Sequence, residues 1–134
     1  MQGSSTIKIV PQNGYGPING QTVFTHGVEF GVSRNESHDL RTATDELIDA
    51  LREGNPRMSG QSGYREATLN GRQALVTTVD NVSDATNQRE TVQIVTTSTR
   101  RGDLFYAVGV APRNEYATYQ PVFQRVLNSI RFRD

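Results

Sequence analysis

The feature that most constrains this chain is the rhythm of residues 63 to 112. Four runs, GYREATL, RQALVTTVDNV, QRETVQIVTTSTR and DLFYAVGVAP, alternate apolar or β-branched positions with polar ones at period two. The breaks between them are too short for a crossover helix, which parallel pairing would require. Asn70-Gly71 is a two-residue type I′ signal joining the first pair, Arg101-Gly102 joins the last, and SDATN makes a longer connection between the middle two. The stretch is therefore expected to be an antiparallel meander.

The flanks complete the architecture. STIKIV sets Thr6, Lys8 and Val10 against Ile7 and Ile9 and reads as a first strand, ended by Pro11 and Asn13-Gly14. PQNGYGPINGQ, dense in Gly and Pro, reads as a loop, and TVFTHGVEFGV as one long strand with a bulge at Gly27. In DLRTATDELIDALREGNP the residues Leu40, Ala43, Leu47, Ile48 and Leu51 share one helical face, with Asp39 as N-cap, Gly54 suited to a left-handed C′ position and Pro56 as stop. A second helix is expected over EYATYQPVFQRVLNSIRF, its stripe formed by Tyr119, Phe123, Val126, Leu127 and Ile130, with Pro121 in the first turn or at a kink. The fold class that results is α+β: one domain over residues 1–134, an antiparallel meander covered by two helices.

Composition excludes several function classes. Fourteen basic residues balance fourteen acidic ones, so no bulk field recruits nucleic acid or an anionic membrane. The chain has no cysteine, which removes disulfides, thiolate metal sites and cysteine nucleophiles together. No apolar stretch approaches the roughly 18 residues of a membrane span, and MQGSSTIKIV is unlike a signal peptide. The abrupt start reads as a piece of a longer protein, with any export signal or span upstream.

Chemistry must then pass through two histidines, His26 and His38. In a strand, residues three apart point to opposite faces, so His26 and Glu29 do not form a ligand pair; His26 joins Phe24, Val28 and Phe30, and Glu29 faces water. His38, beside Glu36 and Asp39, reads as a helix-capping histidine. There is no H-E-x-x-H, G-x-S-x-G, P-loop or dinucleotide fingerprint. Arg101-Gly102-Asp103 spells an integrin-type tripeptide, which turn chemistry explains better. The remaining binding candidates are Tyr64, Arg65, Arg72, Tyr106, Arg113, Tyr116 and Tyr119, which could line a peptide or ligand groove; packing of the tyrosine rings at sheet margins is the simpler reading. The threonine-rich TVQIVTTSTR is expected to face solvent or to form an edge open to a partner strand.

The segments HGVEFGV, HDLRTATDELIDALREGNP, GRQALVTT and RGDLFYAVGVAPRNEYATYQPVFQRVLNSIRF together resemble the C-terminal domain that follows the catalytic domain in bacterial zinc metallopeptidases of the CAAX-prenyl-protease and HtpX type. The ending from Phe123 to Phe132 also resembles the PsbP-like fold, an α/β/α sandwich. The first resemblance implies a non-catalytic accessory domain of the bacterial cell envelope or periplasm that binds proteins or peptides. Zinc would be held only in an upstream protease domain, with no cofactor, catalytic residue or membrane insertion in this fragment. The competing expectation is a self-standing PsbP-like ligand-binding or envelope protein unconnected to proteolysis.

Overall fold

All four runs of the meander form strands. The computed structural model describes residues 5–9, 15–18, 21–24, 27–34, 39–84 and 86–132. In chain order its elements are β1 (Ser5–Ile9), β2 (Tyr15–Ile18), β3 (Gln21–Phe24), β4 (Gly27–Ser33), α1 (Leu40–Gly54), β5 (Ser59–Gln61), β6 (Arg65–Leu69), β7 (Arg72–Val82), β8 (Arg89–Ser98), β9 (Leu104–Pro112) and α2 (Tyr116–Ser129). The main sheet runs β1-β4-β9-β8-β7, with β5 and β6 sharing the outer side of β7, and every pairing is antiparallel. The α+β class is as expected.

Several boundaries differ from the expectation. TVFTHGVEFGV is two strands, because Gly27 takes φ 129°, a conformation that ends a regular strand; β3 instead folds back on β2 as a separate hairpin. The stretch read as a Gly/Pro loop thus contributes β2. Short β5, with no apolar residue to mark it, escapes the period-two pattern. Between β5 and β6 the outer strand is interrupted, and Ser62 fills the break. Its amide donates to the Thr78 carbonyl at 3.0 Å, and its carbonyl accepts from the Thr77 hydroxyl at 2.7 Å.

The Asn70-Gly71 turn has positive φ at both residues, 49° and 81°, as type I′ demands. The last hairpin is not a two-residue turn. Gly102 N donates to Thr99 O, Thr99 N donates to Asp103 O, and only Gly102 is left-handed, so the loop is the three-residue form.

The threonine-rich strand is the largest correction. β8 is neither an edge nor solvent-facing: it lies between β9 and β7, with Thr96 and Thr97 0% and 1% exposed. Hydroxyl hydrogen bonds make this burial tolerable. Thr97 Oγ1 donates to Gln73 O at 2.7 Å, and the Thr96 hydroxyl meets Thr44 Oγ1 of α1 at 2.7 Å.

One helix covers each face. α1 begins where Asp39 accepts hydrogen bonds from the amide and hydroxyl of Thr42 (2.9 and 2.7 Å), which holds the Asp39 carboxyl below its ordinary pKa. It ends at Gly54 without the left-handed C′ residue expected there; Asn55 is the C-cap, its side chain donating to Leu51 O at 2.8 Å. Ile48, Leu47 and Leu51 pack on Val79, Val92, Ile94, Val108 and Val110. On the opposite face Phe123 and Leu127 of α2 join Val28, Val76, Val95 and Phe105. Pro121 lies inside α2, beyond its first turn, which Glu115 closes by accepting from the amides of Thr118 and Tyr119.

Candidate functional site

The tyrosines and arginines singled out in the sequence divide between the two faces. Tyr64 and Tyr106 pack against the α1 cluster, whereas Tyr116 and Tyr119 pack against the α2 cluster. The Tyr64 hydroxyl donates to Asp45, its ring lies 4.9 Å from the Arg41 guanidinium carbon, and burial followed by Asp45 pushes its pKa up to about 12. Tyr116 and Tyr119 flank Phe123 with ring centroids 6.2 and 6.3 Å away, and burial raises the Tyr116 pKa while Arg65 opposes the shift. Arg72 stands 4.2 Å from the centre of the Phe132 ring, locking the chain after α2 onto the sheet. Arg113 is exposed in the turn before α2. The tyrosines pack on opposite faces of the sheet, so the set does not line one groove. His26 and His38 lie outside the described residues.

A different place concentrates polar groups in an apolar setting. Under the C-terminal end of α1 is a cavity of about 230 Å³, with six of its nine lining residues buried: Met58, Asn81, Glu90, Val92, Val108 and Val110. Glu29, Leu51 and Asn55 complete it. By comparison, a concavity of about 530 Å³ around Arg72, Arg100 and Phe132 has no buried residue in its lining.

The cavity follows from element lengths. α1 crosses β8 starting at the Thr44–Thr96 contact. From Thr96 to Glu90 the strand advances about 20 Å, at roughly 3.4 Å per residue. From Thr44 to Asn55 the helix advances about 16 Å, at 1.5 Å per residue. Helix cover therefore runs out near Glu90, and the chain from Asn55 to Met58, closed by a Met58 N to Asn55 O bond of 2.9 Å, turns across the opening.

Its floor is made of four adjacent strands. Glu29 is opposite Val108 in the β4–β9 register, Val110 opposite Val92, and Glu90 opposite Asn81. Glu90 is a carboxylate only 9% exposed, and Asn81 Nδ2 donates to its Oε2 at 2.8 Å. The other end of the same amide, Asn81 Oδ1, is buried and has no hydrogen-bond partner among the described residues. A buried acceptor left this way is costly and rare. Glu29 does not face open water as expected; it is half-buried against this cavity. Sequence reasoning missed the site because its polar residues are scattered over three strands. Glu90 gave a usable signal: it occupies the same face as Val92 and Ile94, where period two calls for an apolar side chain.

No three His, Cys, Asp or Glu side chains are grouped as metal ligands among the described residues. No protein-family model matches the chain, and no curated protein matches it in sequence. Its fold does match solved structures. PA94 of Pseudomonas aeruginosa, a protein of unknown function, superposes with a TM-score of 0.58 at 12% identity, over 100% of this chain and 85% of that one. LpqN of Mycobacterium tuberculosis, involved in cell envelope biogenesis, gives 0.50 at 17% identity, over 96% of this chain and 82% of that one. The chain shares this helix-covered antiparallel fold with both.

Proposed function

We propose that this chain is a non-catalytic, small-ligand-binding domain of the bacterial cell envelope. The observation that carries the reading is the cavity beneath α1, where a buried carboxylate and an amide oxygen with no hydrogen-bond partner among the described residues sit among apolar walls, the combination by which binding sites gain affinity and orientation together. The envelope setting draws on the description of LpqN, and no helix among the described residues is long and apolar enough to cross a membrane.

Ligand-observed NMR with a panel of small amphipathic compounds tests the binding reading. Saturation transfer should appear with the native chain and vanish in Val110→Trp, which fills the cavity. Equal signals from both, or none from either, would reject it. Fractionation of bacteria expressing the full-length protein tests location, and recovery in the cytosol alone would remove the envelope part.

The accessory-domain reading is kept second, on the strength of the HDLRTATDELIDALREGNP and RVLNSIRF resemblance. An H-E-x-x-H domain encoded in frame upstream would promote it, and zinc bound there would leave this domain's melting temperature unchanged.

A further inference from the structure

Resting on the ligand-cavity reading, we infer that the occupant is a neutral hydroxyl compound: one O–H donor on a short aliphatic body. Asn81 calls for the donor. Its side chain is 6% exposed and lines the cavity, and its Nδ2 donates to Glu90 Oε2 at 2.8 Å. An ionised carboxylate oxygen only accepts, so this contact fixes which end of the amide is which; turning the amide over would set Oδ1 against Oε2. The other end, Oδ1, is an acceptor with no hydrogen-bond partner among the described residues. Folding has already borne the cost of taking that oxygen out of water. A guest that donates to it therefore gains the bond without desolvating the protein further.

Charge on the guest is not called for. Glu29 and Glu90 both have partners within the chain. Glu29 stands opposite Lys8 in the β1–β4 register, a pairing by which a sheet balances a carboxylate without help from a ligand. With both carboxylates engaged, a charged guest would give up its hydration among Leu51, Met58, Val92, Val108 and Val110 for little in return. A lone water could donate to Oδ1, but the space of about 230 Å³ is several times the roughly 30 Å³ that one water takes, and apolar walls gain nothing from it. An aliphatic body fills that space and buries the walls. A hydroxyl supplies the donor with little else to desolvate, whereas an amide would add a carbonyl to bury.

NMR titration of the intact chain tests this with four probes of similar size: butan-1-ol, its isomer methyl propyl ether, n-butylammonium and butanoate. Butan-1-ol should move the methyl signals of Met58, Val92, Val108 and Val110, with affinity about tenfold above the ether, which has no donor. It should also move the Asn81 side-chain amide signal, which the ether should leave in place. In Asn81→Leu, which keeps the size and removes the acceptor, alcohol and ether should bind alike; the probe series on the native chain needs no variant at all. Ether binding as tightly as alcohol to the native chain would overturn the donor while leaving the cavity reading intact. Butylammonium or butanoate binding as tightly as butan-1-ol would overturn the neutral guest and likewise spare the cavity. Alcohol shifts confined to exposed methyls such as those of Val122 would overturn the inference as surface adsorption. No methyl shift with any of the four would overturn both readings.

Discussion

Gly109 is the point at which the α2 face has no room to spare. A Cβ placed there would lie 2.8 and 2.9 Å from Cδ2 and Cε2 of Phe123, well inside the roughly 3.5–4.0 Å at which carbons attract. The ring cannot easily give way, being 2% exposed and flanked by Tyr116 and Tyr119. Gly109→Ala is thus an overpacking change, expected to cost about 1–3 kcal/mol. For 134 residues, each kcal/mol corresponds to about 3.5 °C, so the melting temperature should fall by about 4–10 °C. Thermal unfolding followed by circular dichroism measures this. In a Phe123→Leu background, where the side chain at 123 is smaller and jointed, the same substitution should cost less than half as much. Gly63→Ala, with nothing within 4 Å of its Cβ, serves as the control and should leave stability unchanged or slightly raised. A Gly109→Ala protein within about 0.5 kcal/mol of the native one, or an equal cost in both backgrounds, would refute the packing argument.

Three further outcomes follow from named contacts. Thr44→Val removes the partner of the buried Thr96 hydroxyl and should cost about 1–3 kcal/mol; Thr44→Val with Thr96→Val should cost less than the Thr44 change alone, and chemical denaturation reads both. Because the Asp39 carboxyl is held below its ordinary value of 3.8, its cap stabilises the fold above that pH and is lost as pH falls through the lowered value. Asp39→Ala should therefore lower the melting temperature at pH 7, and the difference from the native protein should shrink as pH is taken below 3.8. The Tyr64 phenol has the opposite sense: its contribution is complete below its ordinary value of 10.0 and is lost as pH rises towards about 12. Tyr64→Phe should flatten that alkaline loss in a pH series of melts, and an unchanged slope would show that the Asp45 contact is not coupled to folding.

The meander and both helices were legible because each is written in a local period that burial enforces. Ile48 and Phe123 could be placed on their faces from spacing alone. The failures share one cause, that local pattern does not encode what covers a strand. TVQIVTTSTR looks exposed until Thr44 arrives from a helix about fifty residues earlier to satisfy Thr96. The grouping of tyrosines and arginines came from residue type, and strand order separated them. The cavity depended on Glu29, Asn81 and Glu90 lining one hollow from three strands of the sheet, an arrangement set by strand order and invisible without it.

The β4–β9 pairing also sets a sequence in time. Strands β6 to β9 are joined to their neighbours by short turns, whereas β4 must find β9 across the whole intervening chain, Gly27 meeting Val110. Contacts so distant in sequence form late, after the loop-closure entropy has been met. The hairpins should assemble first and β4 should zip on last, bringing Glu29 with it. A chain caught before that step would already have most of its sheet and helix contacts and lack one wall of the cavity, so a ligand held there would recognise only molecules that have finished folding.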